Sequence, residues 1–317
     1  MKKNKIWVFN VTNVDNMIYL DLYSFEYNNF LNIIRIIGKN SLFKYIKTGE
    51  LLYKTKIDVT CIDYEKYFDD ISIIYEEINN LVKDIKSKRY FKILNYSSDR
   101  LMIEAMSYPD IEKKKLKKDT KYKISKLYYN FDEYYYRALG NVSVCFFTRD
   151  EFNKTLKLFY DLNININYVA INYLGVNELF KHYHITNNKD SSIFINFKKD
   201  YSQIYIFEGL AIVGTRIINV GYDALINNNE ELIKDLKRNL VVPTYYFKHI
   251  GKIYYNFEED VNIDLTSLLS EFNKLDIENL TLKESDNFNI LSSYSSIICY
   301  LKRLDKEYEY NFPMRVK

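Results

Sequence analysis

Apolar and polar residues alternate from the first positions of the chain. IWVFN and MIYLDLY, at 6–10 and 17–23, flank the polar stretch VTNVDN, which predicts a hairpin with a turn of about five residues. A third strand is expected at 30–36 and a fourth at 51–59. Residues 67–82 follow as a helix, because Ile71, Ile74, Tyr75, Ile78 and Val82 recur at three- and four-residue steps and share one face. FKILNY (91–96) and LMIEAMSY (101–108) read as strands, and Pro109-Asp110 opens a charged helix over 111–126 with Asp110 as its cap. A strand at 142–147, a helix with Phe152, Leu156 and Phe159 on one side, a strand at 164–169 and a helix at 174–183 complete this block. A second long hairpin, SSIFINF-KKDYSQ-IYIFEG, comes next, followed by LAIVGTRIINVG and a polar helix at 222–238. Amphipathic helices are expected at 265–275 and 294–304.

Strands and helices interleave throughout, which places the chain in the α/β class. The expected organisation is a first lobe beginning at 1–85, an inserted α/β subdomain at 86–170, a returning helix of the first lobe at 171–190, and a second lobe at 191–317. The hairpins at 5–23 and 193–207 share one form, strand, polar turn, strand. Two lobes that each open on such a hairpin, with the turns facing a shared cleft, can enclose a phosphate.

Composition narrows the function classes. A net charge of +3, from 45 basic and 42 acidic residues, is too balanced for a nucleic-acid binder. Cys61, Cys145 and Cys299 are widely separated and lie among apolar neighbours, as buried reduced thiols do, and no C-x-x-C pair is present for zinc or redox chemistry. The apolar run at 6–9 is too short for a secretory leader, and the longest run elsewhere, 297–301, is far below the roughly 20 residues of a membrane span. His182 and His184 are two apart, a poor geometry for a metal on one helix, so both read as structural and no metal site is expected. The run KKKLKK at 113–118 reads as a wet helix face, or as a contact for an acidic partner or an anionic membrane surface. Gly209, Gly214 and Gly221 are spaced as strand-end turns, Trp7 reads as core, and the tail EYEYNFPMRVK as an edge strand or a loose end. No G-x-S-x-G or G-x-G-x-x-G motif is present.

The order of these elements resembles that of the actin, sugar-kinase and chaperone-ATPase superfamily, and more closely that of PilM, the actin-like family of type IV pilus assembly. The segments SSDRLMIEAMSYPDIEKKKLKKDTKYKIS and VSVCFFTRDEFNKTLKLFYDLNININYVAINYLGVNELF carry the resemblance, with SIFINFKKDYSQIYIFEGLAIVGTRIINVGYDAL similar to the family's second phosphate hairpin. The fold implied is the actin-like ATPase (ribonuclease H-like) fold, two lobes with a small α/β insertion in the first. In the family each turn reads roughly D-x-G, where Gly admits backbone N–H groups to phosphate and Asp places magnesium or its water. Here the first Asp falls on Asn10 and its Gly on Thr12, with Asn13 beside them. The second Asp falls on Asn196 and its Gly on Lys198, followed by Lys199. The acidic pair falls near Ile171, Asn172 and Tyr173, and only Gly221 and Asp223 stand where the family has them.

A neutral amide in place of a carboxylate removes the main Coulomb attraction for magnesium, and a Cβ in place of Gly obstructs close backbone approach. The resemblance therefore implies a degenerate pocket without ATP hydrolysis or a resident cofactor. The alternatives are ATP with magnesium bound at Asn10, Thr12, Asn13, Asn196, Lys198, Lys199 and Gly221, or nucleotide held without hydrolysis by Lys198 and Lys199 contacting phosphate in place of the metal. The implied role is a cytoplasmic scaffold of a type IV pilus or type II secretion platform, peripheral to the inner face of the cytoplasmic membrane. Its implied partners are the tail of a PilN-like bitopic membrane protein, lying in a groove between the first lobe and the inserted block, and other platform proteins. Membrane contact would come only through these partners. The rivals are an active nucleotide-binding ATPase and an FtsA-like cell-division protein, which would need an amphipathic terminal helix that EYEYNFPMRVK lacks.

Overall fold

The computed structural model describes residues 4–15, 17–27, 51–63, 90–105, 122, 125–126, 131–139, 143–183, 185–186, 190–246, 250–258, 261, 263–272, 274–280, 293, 296–297, 299 and 313. The expected strand at 30–36, the helix at 67–82, most of the helix at 111–126 with its lysine run, His184, most of the helix at 294–304 and most of the tail lie outside these residues. The chain forms two compact units, Met1–Gly175 with Ser292–Lys317, and Val176–Leu291.

The first unit is built on a sheet of order β3-β2-β1-β4-β8 among the described residues. Its strands are β1 (Asn4–Val14), β2 (Met17–Tyr27), β3 (Leu51–Asp63), β4 (Phe91–Ser98) and β8 (Tyr168–Ile171). The antiparallel meander β1 to β3 is joined in parallel by β4 and then β8. Between β4 and β8 the chain makes an antiparallel sheet of β5 (Met102–Ala105), β7 (Ser143–Thr148) and β6 (Tyr134–Leu139), followed by helix α1 (Arg149–Asp161). Aromatic rings on α1 tie the insertion to the main sheet. Phe152 lies 5.2 Å from Phe147 of β7 and 4.9 Å from Tyr96 of β4, and Phe159 lies 5.2 Å from Phe9 of β1. Such rings, all with negligible exposure, supply large apolar burial plus favourable edge-to-face geometry. Cys145 is buried here as a free thiol, pushed up to about 11 by desolvation, so it stays protonated and unreactive at neutral pH. Trp7 is in the core, as expected.

Helix α2 (Asn172–Tyr183) leads into the second unit, whose sheet has the order β11-β10-β9-β12-β13. Here β9 (Ser191–Phe197), β10 (Ser202–Glu208) and β11 (Ala211–Ile218) form an antiparallel meander, and β12 (Ile250–Phe257) and β13 (Asp276–Asn279) add in parallel. Helices α3 (Tyr222–Ile226), α4 (Glu230–Tyr246) and α5 (Leu265–Leu268) complete it. Ile193, Ile195, Phe197, Leu236, Leu240, Ile253 and Leu265 sit in one buried cluster between sheet and helices. Phe180 of α2 stacks on Phe207 at 4.5 Å. The two sheets thus repeat one topology: three antiparallel strands, then two parallel strands on the far side of the first.

Several boundaries differ from the sequence reading. The first hairpin turn is shorter than expected, because β1 runs on through Val11, Thr12, Asn13 and Val14, and Val14 pairs with Met17. The bend falls at Asp15, whose φ of 53° is left-handed, a conformation that Asp tolerates better than most residues. The second turn is also shorter, since Ser202 and Gln203 already belong to β10. The strands at 91–98 and 168–171 belong to the main sheet rather than to the inserted block, because each pairs with it in parallel. Strands β6, β12 and β13 had no counterpart in the reading. The expected helix at 222–238 is two helices broken at 227–229, and the one at 265–275 is a single short turn followed by a 3-10 turn at Ser270–Phe272. Residues 292–317, expected with the second lobe, group with the first unit, where Asn10 Nδ2 donates to Ser293 Oγ at 2.7 Å and Ile297 is fully buried.

The approach of the β9–β10 turn to Gly221 fixes the second unit's architecture locally. A Cβ at Gly221 would stand 1.9 Å from the Lys199 carbonyl oxygen and 2.5 Å from the Asp200 nitrogen, both backbone atoms that cannot swing aside, whereas a Cβ at Gly251 would meet nothing within 4 Å. Gly221→Ala is therefore expected to lower unfolding stability by about 3 kcal/mol or prevent folding, while Gly251→Ala changes it by no more than ~1 kcal/mol, and urea unfolding followed by circular dichroism checks both.

Candidate functional site

Each hairpin places its residues at the end of the central strand of its sheet. In the first, Asn10, Thr12 and Asn13 stand within β1 and not in the turn. Asn10 is half-buried, and its Oδ1 accepts from Asn95 Nδ2 at 2.9 Å on the adjacent parallel strand β4. Asn13 is fully buried and donates from Nδ2 to Thr155 Oγ1 of α1 at 2.9 Å. The amide at the bend, Asp15 N–H, donates to Asp99 Oδ2 at 2.8 Å, while Asp99 N–H donates to the Asn13 carbonyl at 3.0 Å. A carboxylate from the residue that follows β4 thus accepts the N–H that the bend presents.

The second hairpin repeats this chemistry with other groups. Asn196 of β9 is buried, and its Oδ1 accepts from Asn256 Nδ2 at 3.1 Å on the parallel neighbour β12. Asn196 Nδ2 donates to Gln203 Oε1 on β10 at 3.4 Å, and the Tyr205 hydroxyl donates to the same oxygen at 3.2 Å. Burial pushes that phenol up, so it remains a donor. Lys198 does not project into solvent: its Nζ lies 2.8 Å from Glu258 Oε1, with side-chain exposures of 8% and 11%, which makes this a buried ion pair. Glu258 is the residue that follows β12. Lys199 is exposed, 4.0 Å from Asp223.

The same turn caps α3. Tyr222 N–H donates to the Lys198 carbonyl at 2.9 Å and Asp223 N–H to the Lys199 carbonyl at 3.2 Å. The first amides of a helix are donors in want of an acceptor, and here the turn's own carbonyls supply it. Gly221 makes this contact feasible because it carries no side chain. Two members of the expected set, Lys198 and Gly221, are therefore brought together, but the Lys198 carbonyl is taken by the Tyr222 N–H and its ammonium by Glu258.

Asp99 and Glu258 had no place among the expected site residues, and neither did Glu151. The last is a buried carboxyl on α1 that accepts from Ser98 Oγ at 2.5 Å and from Thr148 Oγ1 at 3.3 Å. Desolvation raises its pKa, Ser98 opposes the shift, and the nearby Asp99 charge adds to it. No local sequence signal marks Asp99 or Glu258, since each matters through a partner distant in the chain, whereas Glu151 stands three residues after Thr148 in a T-x-x-E helix-start pattern. Ile171, Asn172 and Tyr173 lie at the junction of β8 and α2 and are all buried.

Two measurements follow. Removing one half of the buried ion pair by Lys198→Met is expected to cost about 3–5 kcal/mol in urea unfolding, whereas Lys198→Met with Glu258→Leu recovers most of it, because no uncompensated buried charge remains. For Glu151 the native carboxyl holds its proton to higher pH than the unfolded one. Its favourable contribution is full below the ordinary carboxylate range and is lost as pH rises through the raised native value. Glu151→Gln is expected to flatten that decline and to unfold at a temperature no lower than wild type at neutral pH, as thermal melts across a pH series read directly.

No protein-family profile matches the chain, and no curated protein matches it. Solved structures do. One chain of a PilM–PilN type IV pilus biogenesis complex aligns at a TM-score of 0.59 with 10% identity, over 94% of this chain and 98% of that one. The cytoplasmic domain of EpsL, an inner-membrane component of the type II secretion system of Vibrio cholerae, aligns at 0.53 with 6% identity, over 93% and 95%. A Bacteroides thetaiotaomicron protein of actin-like ATPase fold and unknown function aligns at 0.49 with 9% identity, over 92% and 95%. The repeated sheet order and the first two alignments establish the fold: the chain is an actin-like ATPase fold protein of PilM-like architecture, matched along nearly its whole length.

Proposed function

We propose that this chain is a cytoplasmic scaffold of a type IV pilus or type II secretion assembly platform, held at the inner face of the cytoplasmic membrane through its partners, and that it does not hydrolyse ATP. The observation that carries this reading is the alignment over nearly the full length of both chains with a PilM–PilN complex and with EpsL, two components of such machines. The turns support its second half. Asn10 and Asn196 offer neutral oxygens that already accept from Asn95 and Asn256, so neither supplies the carboxylate by which magnesium is usually held. No helix among the described residues is long and apolar enough to cross a membrane, in keeping with attachment through partners. The partner is the cytoplasmic tail of a PilN-like bitopic protein. An extended tail adding to a strand edge suits the inserted sheet, whose outer strands among the described residues are β5 and β6.

The full chain, immobilised and exposed to detergent-solubilised membranes of its own cell, is expected to retain a single-span protein with a short cytoplasmic tail, identified by mass spectrometry. Recovery of no such protein contradicts the scaffold role. Phosphate release from ATP with magnesium is expected to stay at the blank rate with and without that partner, and turnover above it contradicts the second half.

A further inference from the structure

Helix α4 has a second face that the other described residues leave in solvent. At 100° per residue, Leu236 and Leu240 point into the core, while Lys234, Arg238, Val241 and Val242 fall on the opposite side. Val241 is 51% and Val242 38% exposed, two adjacent members of the small set of large apolar side chains that the described residues leave in solvent. These residues, with Lys237 and Glu271, line a groove of about 480 Å³. Lys237 pairs with Glu271 at 3.6 Å, and among the described residues Lys234 and Arg238 have no ion-pair partner. The groove therefore combines two cations that stand in no ion pair among the described residues with an apolar patch one turn further along, over a length of roughly 12 Å.

We infer that this groove docks an acidic amphipathic peptide segment of a partner protein, with carboxylates opposite Lys234 and Arg238 and a bulky apolar side chain over Val241 and Val242. Charge complementarity selects the occupant. A carboxylate-bearing peptide satisfies both cations, and its apolar residue removes the valines from water. The lining holds three cations against one carboxylate, Glu271, which is already paired with Lys237, so its excess positive charge calls for an anionic occupant and its two exposed valines for one that also carries an apolar side chain. The groove belongs wholly to the second unit and is independent of the hairpin turns and of the strand-edge tail contact.

The test pans a random-peptide phage library on the full chain and titrates the enriched peptides, dye-labelled, by fluorescence anisotropy. Enriched sequences are expected to carry Asp or Glu spaced i, i+4 ahead of Leu, Ile or Phe. Lys234→Glu with Arg238→Glu is expected to weaken them by roughly tenfold or more, as is added salt, and Val241→Ser with Val242→Ser to weaken them without changing the salt dependence. All four positions are surface-exposed, and unchanged circular dichroism separates lost binding from lost folding. Enrichment without acidic bias, or binding that ignores both double variants, overturns the inference. So does sedimentation of the chain with phosphatidylglycerol vesicles that is lost in the charge-reversed variant when the acidic peptides do not compete.

Discussion

Each hairpin bend of this protein has its outward donor satisfied by a carboxylate of the protein itself. Asp99 takes the Asp15 N–H in the first unit and Glu258 takes the Lys198 ammonium in the second, and both carboxylates come from the residue that follows the first parallel strand added to the central one. An external phosphate at either bend would have to displace an internal anion. At Lys198 this is costly, because Glu258 would lose an ion pair made in a poorly solvated place.

The repeated sheet order is what delivers these groups. Placing a parallel strand beside the first strand of the meander sets Asn95 against Asn10 and Asn256 against Asn196, and in each pair the newcomer's amide nitrogen donates to the central residue's oxygen. The result is two neutral amide pairs where the related sequence pattern has carboxylates. A neutral pair costs far less to bury than an unneutralised carboxylate, so the sheet keeps these polar groups without a cation to balance them. The turn at Lys198–Tyr201 then folds down on Gly221 and lends its carbonyls to the first amides of α3, so the features suited to receive an anion are spent on the fold.

Much of this was legible in the chain. The alternation in IWVFN, MIYLDLY, SSIFINF and IYIFEG marked the central hairpins, and three- and four-residue spacing marked α1. Strand β6, YYYRAL, was not marked, because a run of tyrosines has no polar alternation to read, and β12 hid its signal in Ile253, Tyr255 and Phe257 behind a polar approach. The substituted positions Asn10, Asn196 and Lys198 could be located by analogy of order. Their partners could not, since Asp99 meets Asp15 across 84 residues and Glu258 meets Lys198 across 60, and nothing local in either segment announces the contact. Membership of 91–98 and 168–171 in the main sheet was illegible for the same reason: pairing with a strand far upstream decides it.

We propose that neither bend holds a metal–nucleotide complex. Isothermal titration of the full chain with ATP and magnesium tests it most directly. No saturable heat is expected, and micromolar binding abolished by mutation of Asn10 or Asn196 would show that the bends still hold nucleotide.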